Sequence, residues 1–312
     1  MVNKTLSNTN VFDHSGKVYS ISENSVPKRA PGTGELVTMA IDAQKPYMEL
    51  GVISADGTKI IHKVDLKFDR ICWLIKYEKE EYARIGVMPR FGDADSIRWF
   101  SVEPSCTYHI INCFEDGDEV VMMVCRSGAA IMPGPDLGRN KFEWFSRGFK
   151  HINTVNENEK NPQDGLLFAR AFEWRLNMLT GEVKEKYLTG TEFALDFPFI
   201  NEMFTGLRNK YGYAQVVDSD ASSTAGMPKF GGLAKLCLEE RKVEFSSGEK
   251  KPEEYVKVEY HMLPRNTFCT GAAFVARHGS GATEEDDGWI VTFVHNEDTN
   301  ISEVCKMLFQ HQ

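Results

Sequence analysis

Residues 106–125 read CTYHIINCFEDGDEVVMMVC: an apolar run rich in β-branched and aromatic side chains, the acidic turn Glu115-Asp116-Gly117-Asp118, and a second apolar run. Asp-Gly supplies the positive φ that a tight turn between antiparallel strands demands. The stretch therefore predicts a β-hairpin, 107–114 against 119–125.

The same grammar recurs on both sides. Residues 50–54 lead through Ala55-Asp56-Gly57 into 58–64, and residues 172–179 lead through Thr180-Gly181 into 182–188. Val11-Phe12 leads through Asp13-His14-Ser15-Gly16 into 17–21, and further apolar runs stand at 212–217, 232–238, 255–260 and 289–295. Long amphipathic helical periodicity is almost absent. The chain is predicted to be all-β with few helices, one domain over residues 1–312, built as a large sandwich, a barrel or a propeller. No strict repeat argues for a WD40-type array. The polar stretch 153–164 and Pro133-Gly134-Pro135 read as loops rather than linkers, because hairpins resume after them in the same style.

Hydrophobic residues make up 42% and charged residues 26% of the 312 positions, as in a soluble globular protein. Twenty Phe imply an aromatic-rich core or an apolar pocket. A net charge of −9 repels phosphate backbones, so nucleic acid is not an expected partner. Lys250-Lys251 stands among Glu249, Glu253 and Glu254 and reads as a solvated loop. Seven Cys, an odd number with no CxxC pair, support neither a disulfide framework nor a zinc ribbon, and fit a reducing compartment. No apolar run is long enough for a transmembrane helix, and neither a secretory signal nor a transit peptide is visible.

Eight His are present: His14, His62, His109, His151, His261, His278, His295 and His311. His14, His151 and His278 lie in or beside polar and glycine-containing stretches and are expected on the surface. His109 sits inside a strand with few charges, and a buried imidazole there must satisfy both ring nitrogens. A metal on one and a carboxylate on the other would do so; so would ordinary protein partners in a core. HExxH, Walker A, strand-linked GxGxxG and nucleophile-elbow motifs are absent. The acidic run 284–288 lacks EF-hand spacing and reads as a turn before the strand 289–294.

Seven stretches, in order from about residue 8 to 300, resemble the carotenoid cleavage dioxygenases, particularly the plant 9,10(9′,10′)-cleaving and zaxinone-synthase-like branch. They are NTNVFDHSGKVYSISEN, APGTGELV, RIGVMPRFGDADSIRWF, CTYHIINCFEDGDEVV, EWRLNMLTGEV, DFPFINEMFTGLRNKYGYA and EEDDGWIVTFVHNED. The resemblance implies a seven-bladed β-propeller with Fe(2+) on its axis, held by four His from different blades. It implies cleavage of a conjugated double bond of a carotenoid or apocarotenoid by O2, in plastid or cytoplasm, with peripheral membrane contact for substrate uptake. His109 matches one iron ligand of the family, and His295 matches a characteristic His with a structural role.

The departures from the family are as specific as the matches. Val26-Pro27-Lys28 stands where the family commonly reads His-Pro-Lys. Residues 67–74 follow 61–66 without the expected ligand His, and the Gly-Phe-His segment of the final ligand has no counterpart after residues 302–304. His62 and His311 lie outside the matching contexts, and Gly271 stands about where many members carry a Glu that orients a ligand. The expectation is an incomplete propeller. The rival reading is a non-catalytic propeller fragment that binds an apolar ligand or a partner protein.

Overall fold

Apolar runs punctuated by Asp-Gly turns can satisfy their backbone only by pairing with each other, and antiparallel sheets are the result. The computed structural model describes residues 11–12, 18–19, 28–41, 48–66, 83–128, 146–150, 166–244, 253–277 and 284–308. The loops expected at 133–135 and 153–164 and the Lys250-Lys251 pair lie outside them. The chain divides into two compact units, residues 1–76 with 84–100, and residues 77–83 with 101–312.

In the first unit β1 (Val11–Phe12) pairs with β2 (Val18–Tyr19). The strands β3 (Lys28–Arg29), β4 (Leu36–Ile41), β5 (Met48–Ile53) and β6 (Ile60–Leu66) form a four-stranded antiparallel meander. Gly57, at φ +75°, closes the β5–β6 hairpin. Asp56 beside it accepts hydrogen bonds from Ser54 Oγ, Thr58 N and Thr58 Oγ1, which lower its pKa to about 2. A further pair, β7 (Ala83–Val87) with β8 (Arg98–Val102), forms a two-stranded sheet.

The second unit holds a four-stranded meander of β9 (Cys106–Asp116), β10 (Glu119–Ser127), β11 (Arg170–Asn177) and β12 (Val183–Tyr187). Gly117, at φ +63°, makes the β9–β10 turn read from the sequence. The remaining strands are β13 (Leu195–Phe199), β14 (Tyr211–Val217), β15 (Phe230–Glu244), β16 (Glu253–Met262), β17 (Thr267–Ala276), β18 (Gly288–Asn296) and β19 (Ile301–Met307). They share one seven-stranded sheet. It is two meanders bridged at a single register pair, Phe230 with Cys269, because β15 otherwise pairs with β14 and β16. The all-β reading with few helices holds: the helix Ser219–Ala225 and the 3-10 turns Ala94–Ser96 and Glu202–Phe204 are short.

β14 and the first half of β15 are buried on both faces, and their sequences are accordingly apolar almost without alternation. Ala214, Val216, Ala234 and Leu236 join Val121, Met123 and Cys125 of β10 in one core cluster. Tyr213, Val217 and Leu233 join Cys269, Ile290 and Val294 in a second. Close packing leaves no slack at Gly288, where an added Cβ would meet Val275 O at 2.5 Å and Phe274 Cζ at 2.6 Å. Gly288→Ala is expected to cost about 1–3 kcal/mol, the usual overpacking penalty, read from the midpoint of urea unfolding.

Candidate metal centre

His109 owes its direction to two register shifts in the β9–β10 ladder. Asn112 pairs with Met123 and Ile110 with Val124, which leaves Ile111 extra; His109 pairs with Cys125 and Thr107 with Arg126, which leaves Tyr108 extra. Each bulge shifts the two-residue alternation by one. Ile111 and Asn112 are consequently buried in succession, and His109 and Ile110 are exposed in succession. The buried imidazole expected from the sequence is corrected here: the His109 side chain is 43% exposed. An apolar run with few charges points to burial of each of its members, and bulges do not announce themselves in composition.

One nitrogen of the ring is nonetheless fixed. His109 Nδ1 lies 2.7 Å from Asp196 Oδ1 on β13. A carboxylate oxygen only accepts, so Nδ1 donates, and in the neutral ring the lone pair is then on Nε2. Nε2 has no hydrogen-bond partner among the described residues. This is the carboxylate–imidazole arrangement that orients a ligand histidine toward a metal.

Asp196 is delivered by another irregular strand. The β13–β14 register shifts between Asp196 and Phe199, and Phe197 takes φ +46° ahead of Pro198. A bulky side chain in that region costs about 1–3 kcal/mol, and Pro restricts the residue before it further. The Phe197 ring lies over His109, centroids 4.5 Å apart and planes tilted by 35°, and meets Phe230 edge-on at 5.4 Å. Phe197 is 45% and Ile110 55% exposed, so apolar surface adjoins the imidazole.

The neighbouring thiols are poor ligand candidates. Burial first, and then the charge of Asp196, push the Cys106 and Cys125 thiols above their ordinary pKa. A metal binds the thiolate, the form that this burial disfavours. Among the other histidines, His62 Nε2 donates to Gly92 O at 2.8 Å and His295 Nδ1 pairs with Ser302 Oγ at 2.9 Å. His261 faces Leu233 across the β15–β16 ladder. His14, His151, His278 and His311 lie outside the described residues. Among the described residues no group of three or more His, Cys, Asp or Glu could hold a metal. The arrangement at His109 suits a single imidazole ligand, and the described residues do not assemble a complete centre around it. Gly271 has φ +62° inside the Thr270–Ala272 register shift, a backbone that disfavours any side chain there, the expected Glu included.

The acidic run 284–288 is a turn, as read, and three of its carboxylates, Glu285, Asp286 and Asp287, have partners within the protein. Glu285 accepts from Lys210 N and Tyr211 N at 2.7 and 2.9 Å, and burial raises its pKa. Asp286 pairs with Lys235 at 2.6 Å, with side chains 6% and 1% exposed, and Lys235 Nζ also lies 4.4 Å from the Tyr211 ring centroid. Arg277 takes Asp287 at 3.0 Å. Sequence reasoning missed Lys235, Asp196 and Phe197; Pro198 within a strand was the signal for the last two, since Pro in a sheet marks an edge or a bulge.

Residues 72–305, more than half of the chain, match the family model described as Retinal pigment epithelial membrane protein. The chain belongs to this family. Within it, the chain is 30% identical over 321 residues to the carotenoid 9,10(9′,10′)-cleavage dioxygenase of Crocus sativus, covering 92% of this chain and 53% of that protein. It spans about half the length of the curated relatives it matches. Two solved structures share its fold at low identity. The lignostilbene dioxygenase of Pseudomonas brassicacearum superposes with a TM-score of 0.64 at 18% identity, covering 90% of this chain and 59% of that one. Cobalt-substituted ACO of Synechocystis gives 0.64 at 15%, covering 91% and 58%. As a member of the Retinal pigment epithelial membrane protein family, the chain carries His109 and Asp196 inside the matched residues.

Proposed function

We propose that the chain is the scaffold of a non-haem iron(II) dioxygenase cleaving a conjugated double bond of a carotenoid or apocarotenoid with O2, with His109 as one metal ligand. The single observation that carries this is the 2.7 Å contact from His109 Nδ1 to Asp196 Oδ1, which in the neutral ring leaves the Nε2 lone pair for a metal. The names of the plant relatives support the substrate and reaction class. A structural neighbour that accepts cobalt supports a divalent metal site in this fold. Imidazole suits Fe(II), which needs open positions for O2. The described residues do not gather the further ligands of such a centre, so no step of the reaction is derived through the metal. The reading treats residues 1–312 as part of one propeller domain. It places the protein in plastid or cytoplasm, and relatives named as chloroplastic support the former. Among the described residues no helix is long and apolar enough to cross a membrane, and substrate uptake by peripheral contact is part of the proposal.

A second reading, a non-catalytic binder of an apolar ligand, draws on Ile110 and Phe197, whose exposed side chains beside His109 would contact such a ligand with or without turnover. Cobalt(II) titration followed by visible absorption separates the two. The enzyme reading expects one cobalt per chain and at least about tenfold weaker binding in His109→Ala, the scale of losing part of a metal's supporting shell. Absence of cobalt binding, with retention of an added apocarotenoid, favours the binder.

A further inference from the structure

We infer that Phe197 is a positioning residue that locks the His109 imidazole in one orientation and one tautomer. The inference deepens the metal-ligand reading of His109 and rests on it for its functional meaning. Three observations converge. Phe197 holds φ +46°, a backbone that Gly adopts freely and a bulky residue does not, and it does so immediately before Pro198. Its side chain is 45% exposed, so burial gives little reason to keep Phe at a costly backbone position. Its ring instead lies against the one histidine that pairs with the preceding residue, with centroids 4.5 Å apart, and is itself steadied edge-on by Phe230 at 5.4 Å. Backbone strain kept at a half-exposed residue, with its ring laid on a histidine, is what a functional constraint looks like.

The geometry gives the strain a task. His109 is 43% exposed, so the protein around it does not by itself prevent the ring from turning over. A half-turn about Cβ–Cγ exchanges Nδ1 with Cδ2, breaks the contact with Asp196, and removes the carboxylate that keeps the proton off Nε2. The Phe197 ring covers one face of the imidazole and obstructs that turn. The bulge that sets φ at Phe197 also aims Asp196, so carboxylate and aromatic lid reach the same imidazole from adjacent residues.

The test uses the full chain labelled with 15N-histidine and reads tautomers from two-bond nitrogen–proton correlations at about pH 8.5, above the ordinary histidine range. Wild type is expected to show His109 in a single Nδ1–H pattern. Phe197→Gly relaxes the backbone while removing the ring, and Phe197→Leu keeps apolar bulk without a flat face. Both are expected to lose the single pattern to a two-tautomer average, and Phe197→Tyr to retain it. A role confined to fold stability would move the melting temperature and leave the tautomer alone. Should Phe197→Gly fail to fold, Phe197→Leu carries the comparison. A single Nδ1–H pattern in the Gly or Leu variant overturns the inference, as does its loss in the Tyr variant. Failure of wild type to bind cobalt would instead remove the metal reading while leaving the tautomer result standing.

Discussion

Asp286→Ala is expected to lose roughly 3–5 kcal/mol of stability, because it strands a buried ammonium. Lys235 Nζ lies 2.6 Å from Asp286, and its side chain is 1% exposed, in a strand packed on both faces. Removing the carboxylate leaves a charge that neither water nor the Tyr211 ring can compensate in full. Replacing both partners by apolar residues, Lys235→Met with Asp286→Leu, removes the charge with its partner and is expected to come within about 1–2 kcal/mol of wild type. Urea unfolding of the two variants decides the matter. A single variant as stable as wild type would show that the pair contributes nothing to holding the 284–287 turn on the sheet.

Asp196→Ala is expected to weaken cobalt(II) binding about 10–100-fold, the range for losing the carboxylate behind a ligand imidazole. The contact at 2.7 Å makes Asp196 the group that fixes the His109 tautomer, and nothing else among the described residues bonds that ring. Asp196→Asn should fall between, since an amide oxygen still accepts from Nδ1–H but carries no charge. Competition against a chromophoric chelator measures both. Wild-type affinity in Asp196→Ala would mean that Asp196 only packs beside the histidine.

The hairpins were legible because Asp-Gly turns and β-branched runs are local signals. Asp56-Gly57 and Asp116-Gly117 dictate backbone conformation without help from distant residues. His109 was legible as a candidate, with a carboxylate among the partners open to its ring, but its exposure was not. That depends on two bulges whose register is set by how β9 meets β10. Asp196 lies 87 positions further along the chain and reaches His109 only because β13 folds against β9. Lys235 with Asp286 was hidden for the same reason: charges 51 positions apart look solvated until the fold buries them together. The departures from the family pattern at 26–28, 67–74 and after 304 were visible in the sequence, and the described residues show only that His62 and His295 have hydrogen-bond partners of their own.

Diffraction at the iron absorption edge, from crystals of the protein grown anaerobically with iron(II), tests the central claim most directly. The account predicts an anomalous peak within bonding distance of His109 Nε2, with Asp196 still on Nδ1. A peak bound elsewhere with His109 Nε2 free, or no peak at all, would contradict it.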